Sequence, residues 1–155
     1  MTIKKLLAML LVFGMLLPMV ACREKSAANG DAEEEVDEMA LRATDLKVNN
    51  LEMPLGVDTT PQFSWVDKSK TIGRAQSAYQ IIVASTPELA QAHTGDVWDT
   101  GKVESDECFD IAYAGPQLTS RTDYYWSVRV WDEEGTPSDW TKVSRFGTGI
   151  LDQSE

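Results

Sequence analysis

The sequence predicts an all-β sandwich, and three observations carry that expectation. Tyr124 to Asp132 reads YYWSVRVWD, with Tyr124, Trp126, Val128 and Val130 on one side of an extended strand and Tyr125, Ser127, Arg129 and Trp131 on the other. Successive side chains of a strand point to opposite faces, so this alternation marks a strand with one buried face. Shorter runs of the same kind recur through residues 44–148 with turn residues between them, which gives about seven strands and the size of one sandwich. Only one short helix is signalled, at Ser85-Thr86-Pro87-Glu88, so a parallel sheet built from βαβ units is excluded.

The segment before the sandwich has a different composition. Lys4 and Lys5 precede an apolar run from Leu6 to Leu17 that Pro18 breaks. This is the pattern of a secretory signal, too short for a membrane span. Met19-Val20-Ala21-Cys22 ends it in the manner of a bacterial lipobox, with Met19 where Leu is usual. Residues 1–21 are therefore expected to be a signal peptide and Cys22 a lipidated N-terminus; the other reading is an ordinary signal cleaved near Ala21, with Cys22 incidental. Residues 22–43 carry Glu33-Glu34-Glu35, Asp31, Asp37 and Glu38 with few large apolar side chains. Such a stretch cannot bury enough surface to fold and is expected to be a disordered acidic tether.

The sandwich is expected to span residues 44–150, with 151–155 as a tail. Leu46, Val48 and Leu51 open the apolar alternation, and Phe63 and Trp65 face one way across Ser64. Tyr79, Ile81 and Val83 repeat it within SAYQIIVAS. In the helix that follows, a hydroxyl caps the free amides, Pro87 suits the first turn and Glu88 returns a bond to the cap, with a stop near Gly95. Val97 to Thr100 and Lys102-Val103 form short strands around Gly101, Glu133 to Pro137 form a turn, and Trp140 to Phe146 form the last strand. Leu118 stands six residues before Tyr124. That spacing predicts a tyrosine corner, the immunoglobulin-like device in which a Tyr hydroxyl bonds to upstream backbone. Trp65, Tyr79, Tyr124 and Trp126 are the expected structural core.

Charge and cysteine content narrow the function. The formal net charge is −11, and loss of residues 1–21 removes two lysines and no acid, moving it to −13. So acidic a surface repels phosphate backbones, and nucleic acid is excluded as a partner. The membrane partner is then reached through lipid rather than a basic patch. With Cys22 acylated, Cys108 is left without an intramolecular partner, and packing is its expected role.

Reactive constellations are missing. Asp99, Glu104, Asp106, Glu107 and Asp110 form the densest acidic cluster, but at turns and strand edges solvation keeps such carboxylates ionised, and a solvated face is the expectation. Asp132-Glu133-Glu134 offers hard oxygens for Ca²⁺ without the spacing of a Ca²⁺ loop, and the single histidine, His93, cannot make a zinc site. No metal and no cofactor are expected. Trp98, Tyr125, Trp131 and Trp140 exceed what the core needs and mark a glycan-binding or domain-docking surface, with packing or docking the preferred role.

Several stretches taken in order resemble one family. They are LKVNNLEMPLGVDTTPQFSW from Leu46, SAYQIIVAS from Ser77, VWDTGKVESD from Val97, YAGPQLTSRTDYYWSVRVWDEEG from Tyr113, and Trp140 with Phe146 to Gly149. Together they are similar to the N-terminal fibronectin type III-like module of bacterial α-L-rhamnosidases, glycoside hydrolases that remove terminal rhamnose. The resemblance covers nearly all of residues 44–151. It implies that catalytic acids lie in a separate helical barrel, so no catalytic residue is carried over. The expected role is a non-catalytic module in glycan degradation, anchored as an exported lipoprotein of the cell envelope. Its implied partner is the rest of a glycoside hydrolase, in cis or in trans. The alternative is a free-standing carbohydrate-binding or adhesion lipoprotein with rhamnose-containing glycans as ligands.

Overall fold

A computed structural model describes residues 40–151. The expected signal peptide, the expected lipidation at Cys22 and the expected acidic tether up to residue 39 lie outside the described residues. Nine strands and one helix follow in order: β1 (Arg42–Val48), β2 (Leu55–Val57), β3 (Gln62–Lys68), β4 (Gln76–Ala84), α1 (Pro87–Gln91), β5 (Trp98–Asp99), β6 (Val103–Glu104), β7 (Ile111–Ala112), β8 (Asp123–Asp132) and β9 (Ser144–Thr148). They make two sheets, one in the order β1-β3-β7 and one in the order β2-β9-β8-β4-β5, with β6 also on β4. All pairings are antiparallel except β2 on β9. This is an immunoglobulin-like sandwich.

The period-2 pattern explains the core. Phe63 and Trp65 from β3, Tyr79, Ile81 and Val83 from β4, Tyr124, Trp126, Val128 and Val130 from β8 and Phe146 from β9 are buried in one cluster between the sheets. Trp65 meets Tyr79 edge-on at 5.3 Å, whereas Trp126 packs on Phe63 at 4.7 Å. Burying such rings contributes on the order of 2–3 kcal/mol each. The tyrosine corner is present: the backbone N–H of Thr119 donates to the Tyr124 hydroxyl at 2.9 Å, and Leu118 is buried beneath it.

Several local expectations need correction. The sandwich starts before residue 44, because Leu41 and Ala43 are buried and β1 begins at Arg42. Leu51 lies in the turn after β1 and is exposed rather than inward. The helix cap is Thr86, whose hydroxyl accepts from Leu89 N–H at 3.3 Å. Glu88 is thus the second helical residue, one short of the position from which a side chain reaches back to its cap. Ser85 bonds Asp96 instead, through both its N–H and its hydroxyl. The helix ends at Gln91 with Ala92 as its cap, short of the stop expected near Gly95: His93 then takes a left-handed φ of 55°, and Thr94 N–H bonds back to Leu89 O. Cys108 and Phe109, which the sequence suggests for a strand or strand edge, lie between β6 and β7, with the Cys108 carbonyl accepting from Trp65 N–H.

Candidate functional site

The outward face of β8 and β4 carries the most organised side chains outside the core. Ala78, Gln80, Ile82 and Ala84 of β4 stand opposite Trp131, Arg129, Ser127 and Tyr125 of β8. Toward one end, α1 packs over β4 and β8, burying Ala90, Ile82 and Ala84. Toward the other, the connection from β8 to β9 folds back along β8. Ser138 N–H donates to Val130 O while the Ser138 hydroxyl accepts Val130 N–H, and Thr141 does the same with Val128. Hydroxyls thus replace backbone partners at every third residue, and regular pairing starts at Ser144 opposite Trp126. The last strand expected at Trp140 is therefore shorter, and Trp140 is free to turn outward over β8.

A continuous stack results. The Arg129 guanidinium lies 4.7 Å from the centre of the Trp131 ring and 4.9 Å from that of Trp140. Lys102 Nζ stands 5.3 Å over Trp131. The His93 ring stacks on Trp140 at 5.1 Å and 11°. Arg129 is aimed by Gln80, whose Oε1 accepts from its Nε and Nη2 at 3.1 and 2.9 Å, and Gln80 donates in turn to Asp99 at 2.7 Å. Cations over ring faces are attracted by the ring quadrupole, by about 0.5–2 kcal/mol each. With Lys102 and Arg129 over its ring, Trp131 retains only 8% exposure.

The four aromatic residues expected to share a surface do not all meet. Trp131 and Trp140 are in the stack. Tyr125 is on the same outward face but four residues along β8 from Arg129, opposite Ala84 and Arg145. Trp98 belongs to the other side: it pairs with Val83, stacks on Phe63 at 5.9 Å and meets Tyr113 at 4.9 Å. Trp65, Tyr79, Tyr124 and Trp126 sit in the core. The stack members Arg129, Gln80, His93 and Lys102 were not expected as site residues. The Ser138, Thr141, Ser144 spacing of three was their available signal.

The acidic turn is also accounted for. Arg74 bonds Asp132 at 3.1 Å and Glu133 at 3.2 Å, and reaches Glu134 at 3.5 Å. Asp132 Oδ1 accepts the N–H groups of Glu134 and Thr136. The Ala75 N–H holds the Glu133 carboxyl below its usual range. These oxygens serve a cation of the chain itself, Arg74. Burial, with Asp67 and Asp106 nearby, pushes the Cys108 thiol up, which disfavours the nucleophilic thiolate. Among the described residues no group of three potential metal ligands is present.

Residues 43–152 match the family described as the Rha78A-like N-terminal immunoglobulin domain. The chain belongs to this family. It is 47% identical over 117 residues to an α-L-rhamnosidase of Streptomyces avermitilis, covering 75% of this chain and 11% of that protein. A Formosa agariphila α-L-rhamnosidase is 34% identical over 145 residues, covering 93% of this chain and 15% of its own length. Among solved structures, the Streptomyces avermitilis α-L-rhamnosidase complexed with L-rhamnose superposes with a TM-score of 0.70 at 47% identity, over 74% of this chain and 11% of that one. The Dictyoglumus thermophilum α-L-rhamnosidase gives a TM-score of 0.70 at 40% identity, over 73% and 13%. The chain thus spans only 11–15% of the curated relatives named. The match falls on the small N-terminal immunoglobulin domain of such enzymes.

Proposed function

We propose that this chain is the non-catalytic N-terminal sandwich of an exported α-L-rhamnosidase-like glycoside hydrolase, and that it positions or docks the rest of such an enzyme during glycan degradation. The observation that carries the reading is the 47% identity to one end of a rhamnosidase roughly nine times the matched length. The outward aromatic stack supports packing over sugar contact. A sugar ring binds against an open aromatic face, and here Lys102, Arg129 and His93 lie on the faces of Trp131 and Trp140. Cys22 acylation would tether the module to the bacterial envelope through the acidic segment that follows it.

The DNA following codon 155 tests the first part. A rhamnosidase catalytic domain, continuing in frame or in the adjacent gene, is expected; a clean intergenic gap overturns the reading. The full chain alone is expected to release no rhamnose from an aryl rhamnoside, and release would overturn the non-catalytic role. Labelled palmitate supplied to growing cells is expected to mark the wild-type chain and not Cys22→Ala. A wild-type chain that stays unlabelled would mean an ordinary cleaved signal.

A further inference from the structure

Seven large apolar side chains are strongly exposed among the described residues, and four of them belong to two paired neighbouring segments: Leu51, Met53 and Leu55 lead into and open β2, and Ile150 follows β9. The backbone there is firmly held. Val48 and Leu51 exchange N–H···O bonds of 2.9 and 3.0 Å, and Asn49 N–H donates to Gln62 O at 2.8 Å. The Asn49 side chain accepts Gln62 N–H at 2.8 Å and donates to Thr59 at 3.2 Å. Gly147 N–H bonds Pro54 O and Gly149 N–H bonds Val57 O, both at 2.8 Å. A Cβ at Gly147 would stand 3.7 Å from Leu55 and one at Gly149 would stand 3.1 Å from Gly56 O, so β2 lies close against the departing end of β9.

Two features separate these segments from an ordinary scatter of exposed apolar residues. Met53 takes a left-handed φ of 44°, a conformation unfavourable for a long side chain and kept only where surrounding bonds fix it. It is 55% exposed, so the strained turn holds an apolar group in water. The chain also leaves the fold here: Ile150 follows Gly149 out of β9, and Leu151 N–H is tied to Ser120 Oγ at 3.0 Å. In the curated relatives this module occupies 11–15% of the polypeptide and matches their N-terminal domain. The polypeptide that follows such a module therefore leaves from Ile150, just past the end of β2, the strand that carries Leu55 and follows Leu51 and Met53. Glu52, Asp58 and Arg121 are exposed around these four side chains, giving an apolar centre and a polar rim.

We infer that Leu51, Met53, Leu55 and Ile150 form the docking face for the domain that directly follows this module in an α-L-rhamnosidase. This rests on the reading given under Proposed function and names the surface that reading requires. A photo-crosslinking amino acid at Met53 or Leu55 of the full chain, expressed in its native cell, tests it, with Ile72 as the control. Ile72 is fully exposed and lies beyond Lys68, at the far end of β3 from Gln62. Crosslinked peptides are identified by mass spectrometry. Met53 and Leu55 are expected to join the domain following the module, in the same or a separate rhamnosidase polypeptide, and Ile72 is not.

A Met53→Asp/Leu55→Asp variant provides the second readout. Both side chains are exposed, so its melting transition is expected to be unchanged while the yield of crosslinks to the rhamnosidase from a probe at Leu51 falls at least tenfold. Ile72→Asp is expected to leave that yield unchanged. If the chain associates with a rhamnosidase but the crosslinks arise only from other faces, the inference is overturned and the functional reading survives. If Met53 and Leu55 join a second copy of this chain or an unrelated protein, or no rhamnosidase peptide is recovered at all, the inference and the reading both fail.

Discussion

The Tyr124 hydroxyl accepts the backbone N–H of Thr119 at 2.9 Å, closing the loop that leads into β8 onto the strand itself. Phe at position 124 keeps the ring, which stacks on Phe146 at 5.6 Å, and removes only the acceptor. Tyr124→Phe is therefore expected to cost about 1 kcal/mol, the net worth of a single neutral hydrogen bond. Urea denaturation of both proteins measures it. A loss indistinguishable from zero would mean that water replaces the corner bond at no cost.

The two core tryptophans are expected to be far less forgiving. Trp65 and Trp126 are buried, and each packs against an aromatic ring of the other sheet. Truncation leaves a cavity, so Trp65→Ala and Trp126→Ala are each expected to cost about 3–5 kcal/mol. That approaches the whole stability of a small domain. Loss of the cooperative melting transition, followed by circular dichroism, is the expected outcome. A native-like transition in either variant would remove that residue from the core.

Much of this was legible because a single physical rule wrote it. Period-2 alternation over β3, β4 and β8 places Phe63, Trp65, Tyr79, Ile81, Trp126 and Val128 inward without reference to any neighbour. The helix start and the tyrosine corner are likewise local spacings. What was not legible depends on pairing. Trp98 sits in a two-residue strand, too short to show a phase, and its inward direction comes from pairing with Val83. The β2 strand is short, glycine-containing and mostly exposed, so it lacks an apolar pattern. The stretch from Ser138 to Val143 pairs through hydroxyls, and polar residues at every third position resemble a loop. The Arg129 stack arises only once that stretch folds back over β8.

Arg129 is expected to lock this fold-back in place. Arg129→Met keeps an unbranched stem but loses both ring contacts and the two bonds to Gln80. A destabilisation of about 1–2 kcal/mol is expected. Trp140 should gain exposure, giving a red shift in tryptophan emission. A variant with wild-type stability and wild-type emission would show the stack to be incidental.

The occupied ring faces also predict the response to sugar. Trp131, at 8% exposure, offers L-rhamnose little ring to stack on, and Trp98 is turned toward Phe63 and Tyr113. Titration up to about 10 mM L-rhamnose, weak binding on any affinity scale, is expected to leave the tryptophan emission of the folded chain unchanged. A saturable shift, abolished by Trp140→Ala, would return the free-standing carbohydrate-binding role to favour.

Asp67 sets an expected pH dependence. It points inward from β3 beside Ala43, its Oδ1 has no hydrogen-bond partner, and burial pushes the carboxyl up to about 6 from 3.8. Below pH 4 the group is protonated in both folded and unfolded chains and contributes nothing. Between pH 4 and 6 the folded chain holds a proton that the unfolded chain has released, so this residue's contribution falls as pH rises. Above about pH 6 the folded chain carries an ionised, half-buried carboxylate at full cost. Solvent screening at a group this exposed reduces that cost to about 1 kcal/mol. Asp67→Asn removes the charge at nearly constant shape. It is expected to match the wild type at pH 4 and to gain about 1 kcal/mol over it by pH 7, as read from paired denaturation curves. A difference that stays flat across this range would mean that Asp67 titrates like an exposed carboxylate and that the inward end of β3 is wetter than its geometry indicates.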